Sequence, residues 1–187
     1  IRSAVAFGLL LVWARLRRID LFGRDGTLGP GLLAGMLFGS EFAMIYAGLA
    51  HTTASRMVVF LYLAPCLTSL GLALFVPGES LSPLRWVGVA LAFAGILVAF
   101  GDGFAAQRRA TLLGDALGVA AAFTWAATTV LIRATTLART SATKTLAYQL
   151  GVSAVLMLAV SRLLGEPGVV AITPTAVASL AYQSVIV

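Results

Sequence analysis

Charged residues are scarce in this chain of 187 residues: they make up 11% of it, against about 25% in a typical soluble domain. There is one cysteine, Cys66, and one histidine, His51. A lone cysteine excludes a disulfide framework and a thiolate metal cluster. A lone histidine at the end of an apolar run leaves little from which to build a zinc site or a Ser-His pair, and we interpret it as a residue at headgroup depth. We therefore predict neither metal nor cofactor.

Motifs for nucleotide-driven or hydrolytic chemistry are also missing. No G-x-x-x-x-G-K-[ST] loop occurs, which excludes an ATP-driven motor within the chain. The stretch "FGSEF" at 38–42 lacks the G-x-S-x-G pattern of a nucleophile elbow. The net charge is +6, but the basic residues stand at the ends of apolar runs and between them, without the basic face that nucleic acid requires. We predict neither an enzyme nor a nucleic-acid-binding protein.

Long apolar stretches are abundant, and hydrophobic residues make up 60% of the chain. About 20 apolar residues in a helix cross the roughly 30 Å of a bilayer core, and these stretches are continuous rather than alternating, which favours helices over barrel strands. The predicted fold class is all-α, a polytopic transmembrane helix bundle. The chain begins with Ile1 inside one run and ends inside another, so we expect it to be an internal part of a longer protein. The predicted spans lie near 3–17, 29–51, 55–76, 84–101, 113–134 and 146–164, with a seventh from Val177.

The basic residues predict the orientation of these spans. If successive spans alternate in direction, most Lys and Arg residues fall on one side, including the cluster "RLRR" that follows the first span. Positive charge is enriched on the cytoplasmic side of membrane proteins. We therefore predict that the loops at 18–28, 77–83 and 134–145 are cytoplasmic and those at 102–112 and 165–176 periplasmic.

Two short internal similarities indicate a duplicated architecture. "MLFGS" at 36–40 is similar to "LAYQS" at 180–184, and "LVWARL" at 11–16 is similar to "LAVSRL" at 158–163. Both pairs keep nearly the same offset and the same order. Five spans separate the members of each pair, so the two copies would cross the membrane in opposite directions. Inverted repeats of this kind are typical of secondary transporters, which bind substrate near the membrane midplane.

The segment from Ala50 to Asp102 carries more specific motifs. It has "L-x-P" in mid-span, "GE" in a short turn, an aromatic residue and a glycine opening the next span, and a closing "F-x-G-x-x-x-A". This segment resembles the EamA-type family of the drug/metabolite transporter superfamily. The helix "GDALGVAAAFTWAATTVLIR" at 114–133 is similar to the one that opens the second half of that family. The matching residues are Leu63 and Pro65, Gly78 and Glu79, Trp86 and Gly88, and Phe93 to Ala99.

The resemblance implies ten helices in two inverted five-helix repeats, of which this chain would hold about helices 2 to 8. Residues 1–101 would form the first repeat without its first helix, and residues 113–187 the second repeat, truncated in its third helix. It further implies a multi-pass protein of the inner (plasma) membrane that exports small metabolites, such as amino acids or related compounds, by alternating access. The expected partners are a small-molecule substrate and the lipid bilayer, with coupling to protons or to the substrate gradient, and a homodimer is compatible with this. Two alternatives stay open, a membrane-embedded lipid-modifying enzyme and a non-transporting helical module.

Glu41 is the acidic residue near the middle of the apolar run "GLLAGMLFGSEFAMIYAGLA" at 31–50. A carboxylate at that depth costs several kcal/mol unless it is protonated, paired or facing water. The end of this helix that is nearer to Arg56 lies about 15 Å from Glu41, which is further than an arginine side chain reaches. We favour a substrate-amine or proton-coupling site at Glu41. The alternative is a neutral carboxylic acid hydrogen-bonded to a neighbouring helix.

Pro65 lies in the middle of the third predicted span, where it removes a backbone donor and leaves the carbonyl of Leu61 without its usual partner. A kinked helix can expose such groups to a substrate cavity. Equally, membrane helices tolerate proline when neighbouring contacts compensate. Tyr62, on the adjoining turn, is a candidate aromatic wall of the cavity.

Trp125 lies in mid-span rather than in the interfacial belt where tryptophan is enriched. Its indole N–H requires a hydrogen-bond acceptor, which favours a position facing a cavity. The alternative is helix packing along a ridge of small residues on the same helix. That ridge comprises Gly114, Gly118 and Ala122.

The complete set of residues predicted to bind substrate is Glu41, Trp125, Tyr62 and Pro65.

Overall fold

The computed structural model describes residues 2–21, 23, 25–79, 82–105, 109–163, 165, 173, 178–180 and 182. Helices account for most of them, and no strand occurs within these ranges. The helices are α1 (Arg2–Leu16), α2 (Leu28–Leu49), α3 (Ala54–Leu61), α4 (Ala64–Phe75), α5 (Pro83–Ala105), α6 (Arg109–Ala134) and α7 (Ala142–Leu163), with a 3₁₀ turn at Thr136–Arg139 between the last two.

The all-helical fold class is confirmed. Each of the six predicted spans coincides with helix to within a few residues, and within the described ranges four segments are long and apolar enough to cross a membrane. These four are Leu28–Leu49, Ala54–Phe75, Leu112–Ala134 and Ala142–Leu163. Helix α1 has 15 residues, about 22 Å, and is shorter than a full span. The start of the seventh span at Val177 and most of the 165–176 loop lie outside the described residues.

The third span is interrupted at its centre. Helix α3 ends at Leu61 and α4 begins at Ala64, with Pro65 in the first turn of α4. At the junction Leu63 donates its backbone N–H to the carbonyl of Phe60, three residues back, at 3.1 Å. The regular helical hydrogen-bond pattern is interrupted here, because Pro65 has no N–H to donate to the carbonyl of Leu61. The proline in mid-span therefore coincides with an interruption of the helix.

The chain divides into two compact units. The first comprises residues 1–39 and 139–187, and the second residues 40–138, so α2 contributes to both. In the first unit α1 and α2 both pack against α7. The hydroxyls of Ser3 and Ser153 lie 3.3 Å apart, and a Cβ built at Gly39 would lie 3.2 Å from the Cα of Ser153. Small residues thus let these three helices approach closely.

In the second unit α3 and α4 pack along α6. Leu63, Ala64 and Leu67 form a buried cluster with Ala122 and Ala126 of α6. Helices α3 and α4 run parallel to α6, since Phe60 lies beside Gly118 and Gly71 beside Val130. The ridge of small residues on α6 that the sequence singled out is a packing surface.

The two compact units do not follow the predicted repeat boundaries. Residues 1–101 and 113–187 were assigned to separate repeats, whereas each compact unit draws on both ranges. Compact units reflect which helices touch, and helices of two repeats can interleave. The inverted-repeat organisation therefore stays a prediction.

Candidate functional site

Glu41 is buried in the middle of a membrane-spanning helix. Its side chain is 5% exposed, and it lies about 20 Å from the start of α2 and about 12 Å from its end. Gly48, two helical turns further on the same face, packs against the backbone of Gly114 in α6. Ala34, two turns earlier, is fully buried. Glu41 is therefore set in the buried face of α2.

Small and hydroxyl-bearing residues follow Gly114 along α6. Helix α2 is joined to α3 by the short turn at 50–53, so as successive spans the two are expected to run in opposite directions, and α3 is parallel to α6. Glu41 lies two turns before Gly48, and Ala121 lies two turns after Gly114. On this arrangement Ala121, which is fully buried, corresponds in depth to Glu41. One turn beyond, the Thr124 hydroxyl donates to the Ala121 carbonyl at 2.9 Å, so its oxygen can still accept a hydrogen bond.

The other three predicted site residues have exposed side chains. Tyr62, at the break between α3 and α4, is 73% exposed, and Trp125 of α6 is 47% exposed. Pro65 is also exposed. Glu41 is buried, so the four predicted residues differ in their exposure. The assignment of all four to substrate binding stays a prediction.

Sequence reasoning missed a buried ionic cluster where α3 and α6 begin. Arg56 donates to both carboxylate oxygens of Asp115, through Nε at 3.2 Å and Nη2 at 2.5 Å. The hydroxyl of Thr52 donates to the same carboxylate at 2.8 Å. The Asp115 side chain has no exposed surface, whereas Arg56 is 26% exposed. Arg56, considered from the sequence only as a partner for Glu41, thus has a carboxylate partner at its own end of the helices.

An exposed ion pair lies near the other end of α6. Arg133 donates to Glu79 at 3.0 Å. Glu79 follows Gly78, whose φ of +90° is a conformation that glycine adopts readily, and its N–H donates to the carbonyl of Val76. The "GE" motif therefore forms a tight turn that holds its carboxylate against α6. The loop after α4 and the end of α6 lie on one side of this unit, as the predicted topology requires.

The first compact unit has a polar cluster of its own. The ammonium of Lys144, 3% exposed, donates to Asp25 at 2.8 Å and to the carbonyl of Gly23 at 2.9 Å. The Lys144 ammonium, together with the hydroxyl of Thr27, lowers the pKa of Asp25 to about 2. The sequence placed Lys144 in the 134–145 loop, but it belongs to the first turn of α7.

A set of long apolar helices with a buried carboxyl in mid-span defines a multi-pass membrane protein. The profile of the EamA-like transporter family matches residues 1–101, which is more than half of the chain. The chain belongs to this family, as its motifs indicated, and is a membrane transporter by family. No curated protein and no solved structure matches it significantly.

Proposed function

We propose that this protein is a secondary transporter of the bacterial-type inner membrane that exports small metabolites, such as amino acids or related compounds, by alternating access. Membership of a transporter family supports transport, and burial of Glu41 within a 22-residue apolar helix supports a coupled mechanism. A buried carboxyl in a membrane is costly to ionise, so a change in its protonation or pairing is a strong driving force for a conformational change. That burial is the observation on which the mechanism depends.

Glu41 can act in two ways within this mechanism. It can hold a proton when no substrate is present, and it can pair with a substrate ammonium group once the proton has left. The two states exchange one positive charge for another beside the same carboxylate, which links proton movement to substrate movement. The Thr124 hydroxyl oxygen, one turn further along α6, would accept a hydrogen bond from the protonated form.

The break between α3 and α4 supplies a hinge for alternating access. Helices interrupted in mid-membrane are common at transporter sites, because they free backbone groups and let two half-helices move separately. Tyr62 at the break, Pro65 just after it and Trp125 on α6 would contact the substrate when the cavity is assembled. A homodimer is compatible with this function and is not required by it.

Flux measured in proteoliposomes tests the proposal. Vesicles containing the full-length protein are loaded with a mixture of labelled amino acids, and efflux is followed with and without an imposed proton gradient. We expect efflux above that of empty vesicles, with a rate that depends on the gradient. Mass spectrometry of the released compounds and of the vesicle lipids separates transport, which leaves both unchanged, from lipid modification. Altered lipids without flux would contradict the proposal and support the enzyme alternative.

Orientation can be tested separately, on a Cys66→Ser background. A cysteine at Ser82, an exposed residue before α5, should be protected from an impermeant thiol reagent added outside intact cells. A cysteine at Ala50, an exposed residue after α2, should be labelled. The reverse pattern would overturn the predicted topology.

A further inference from the structure

A cavity of about 450 Å³ lies in the first compact unit, between α1, α7 and the loop that precedes α2. One end is polar and the remainder is apolar. The polar end holds Lys144, Asp25 and Tyr148. The apolar walls include Phe7, Leu11, Leu21, Leu28 and Val152. The lining residues all belong to the first unit, whereas Glu41 and the other predicted site residues belong to the second.

The polarity of the cavity wall changes along the helix in the way that the polarity of a lipid changes from headgroup to acyl chain. Lys144 is the third residue of α7, at the end of this predicted span, whereas Val152 lies about 12 Å further along the same helix. The wall becomes entirely apolar in that direction. A ligand that fills the cavity must therefore have a polar group at the membrane surface and an apolar chain directed towards the midplane.

The ammonium of Lys144 has donor capacity to spare. It carries three N–H donors, and within the described part of the chain it has two acceptors, the Gly23 carbonyl and the Asp25 carboxylate. Its side chain is 3% exposed and lines the cavity. A third acceptor from a ligand, such as an ester carbonyl or a phosphate oxygen, would satisfy the remaining donor.

The order of charges favours one headgroup chemistry. At the polar end, the Lys144 cation is buried and its partner Asp25 is 45% exposed, so the positive charge lies deeper than this carboxylate; the Asp20 carboxylate also attracts the Lys144 ammonium. A phospholipid with an ethanolamine headgroup presents the complementary order: chain, ester carbonyls, phosphate, ammonium. An anionic headgroup without an ammonium would instead place a second negative charge beside Asp25.

We propose that this cavity is a binding site for one zwitterionic phospholipid with an ethanolamine headgroup. The phosphate or ester oxygens accept from Lys144, the ammonium donates to Asp25, and one acyl chain lies between α1 and α7. This inference rests on the membrane location of the chain and does not depend on its substrate or mechanism.

Native mass spectrometry of the full-length protein tests this site. The protein is extracted from membranes, delipidated and incubated with phosphatidylethanolamine or phosphatidylglycerol carrying identical acyl chains. We expect one retained phosphatidylethanolamine per chain and weaker retention of phosphatidylglycerol. Equal retention of the two lipids, or none, would overturn the assignment.

Variants locate the lipid in the cavity. Ala147→Leu fills the cavity from α7 and should lower retention, whereas Ala159→Leu, an exposed position on the same helix outside the cavity lining, should not. Leu11→Trp narrows the opposite wall and provides a second variant if the first fails to fold. Lys144→Met should lower ethanolamine lipid retention about tenfold, the loss expected for one charge-assisted hydrogen bond. Retention unchanged in folded Ala147→Leu and Leu11→Trp would show that the lipid binds elsewhere.

Discussion

Helix α6 is joined to the preceding part of the second unit by an ion pair towards each of its ends, and the two pairs differ sharply. Asp115 is completely buried and accepts two hydrogen bonds from Arg56 and one from Thr52. Glu79 accepts one hydrogen bond from Arg133, and these side chains are 36% and 58% exposed. The backbones also approach closely at the first end, where a Cβ on Gly114 would lie 2.8 Å from the backbone nitrogen of Thr52.

The difference indicates which end of α6 separates more easily. Removing one partner of a buried ion pair leaves the other without compensation in a medium of low dielectric constant, whereas exposed pairs contribute little because water screens them. Separation at the Asp115 end would also disrupt close backbone packing. A transporter that opens alternately needs one end of such a contact to move before the other, and the weaker tie at Glu79 lies on the predicted cytoplasmic side.

The largest effect is expected for Asp115→Asn. Asparagine preserves the shape of the side chain but removes the charge that compensates Arg56, and Arg56 retains some contact with solvent. We expect a loss of about 2–3 kcal/mol in the free energy of unfolding, measured by thermal unfolding in detergent. A double-mutant cycle with Arg56→Gln should show strong coupling between the two positions. Additive effects would mean that the buried pair is not a unit.

The next effect is expected for Gly114→Ala. The new methyl group would meet the backbone of Thr52 and the carbonyl of Gly48, neither of which can rotate away as a side chain could. We expect a loss of about 2 kcal/mol in stability. Gly88→Ala is the matched control: among the described residues nothing lies within 4 Å of its Cβ position, so helix propensity should make it neutral or slightly stabilising. Equal losses for both variants would refute the close approach.

A smaller effect, dependent on pH, is expected for the Asp25–Lys144 pair of the first unit. The folded-state pKa of Asp25 is about 2, below its ordinary value. The stabilisation that this pair provides is therefore complete above about pH 4 and is lost as the pH falls towards 2. Asp25→Asn should remove this part of the acid sensitivity, as seen by comparing thermal unfolding of the two proteins between pH 5 and pH 2. Identical pH profiles would contradict the assigned partner.

The smallest effect is expected for Glu79→Gln. Because both members of its pair are exposed, the loss in stability should be under about 1 kcal/mol. The same thermal unfolding assay applies, and raising the salt concentration should diminish the wild-type advantage further. A loss as large as that of Asp115→Asn would remove the contrast between the two ends of α6.

The helices were predictable because the bilayer imposes a length and an apolar composition on each span, and both are visible in one sequence. The missing backbone donor at Pro65 was also visible in the sequence, but the division of the third span into two helices was not predicted from it. Asp115 and Arg56 were not recognised as partners. They are 59 residues apart, and nothing in the local pattern indicates which ionisable residues face each other across helices.

The surroundings of the aromatic residues could not be predicted from the sequence either. A tryptophan or tyrosine in mid-span can face lipid, a cavity or another helix, and the apolar composition is the same in all three cases. Trp125 and Tyr62 both prove to be substantially exposed. Lys144 differs from these residues in the opposite direction. The polar sequence around it suggests an exposed loop, but contacts with a loop 119 residues earlier in the chain bury its side chain.

The most direct test of the central claim compares Glu41→Gln with Glu79→Gln in the full-length protein. Both changes remove one carboxylate, but Glu41 is buried in mid-span and Glu79 is exposed in a turn. Flux and expression are measured together in proteoliposomes at several pH values. We expect Glu41→Gln to insert and fold normally yet to lose most flux, or to lose its dependence on the proton gradient, whereas Glu79→Gln should retain both. Unchanged flux with unchanged pH dependence in Glu41→Gln would contradict the proposed coupling role and leave Glu41 as a buried hydrogen-bonding group.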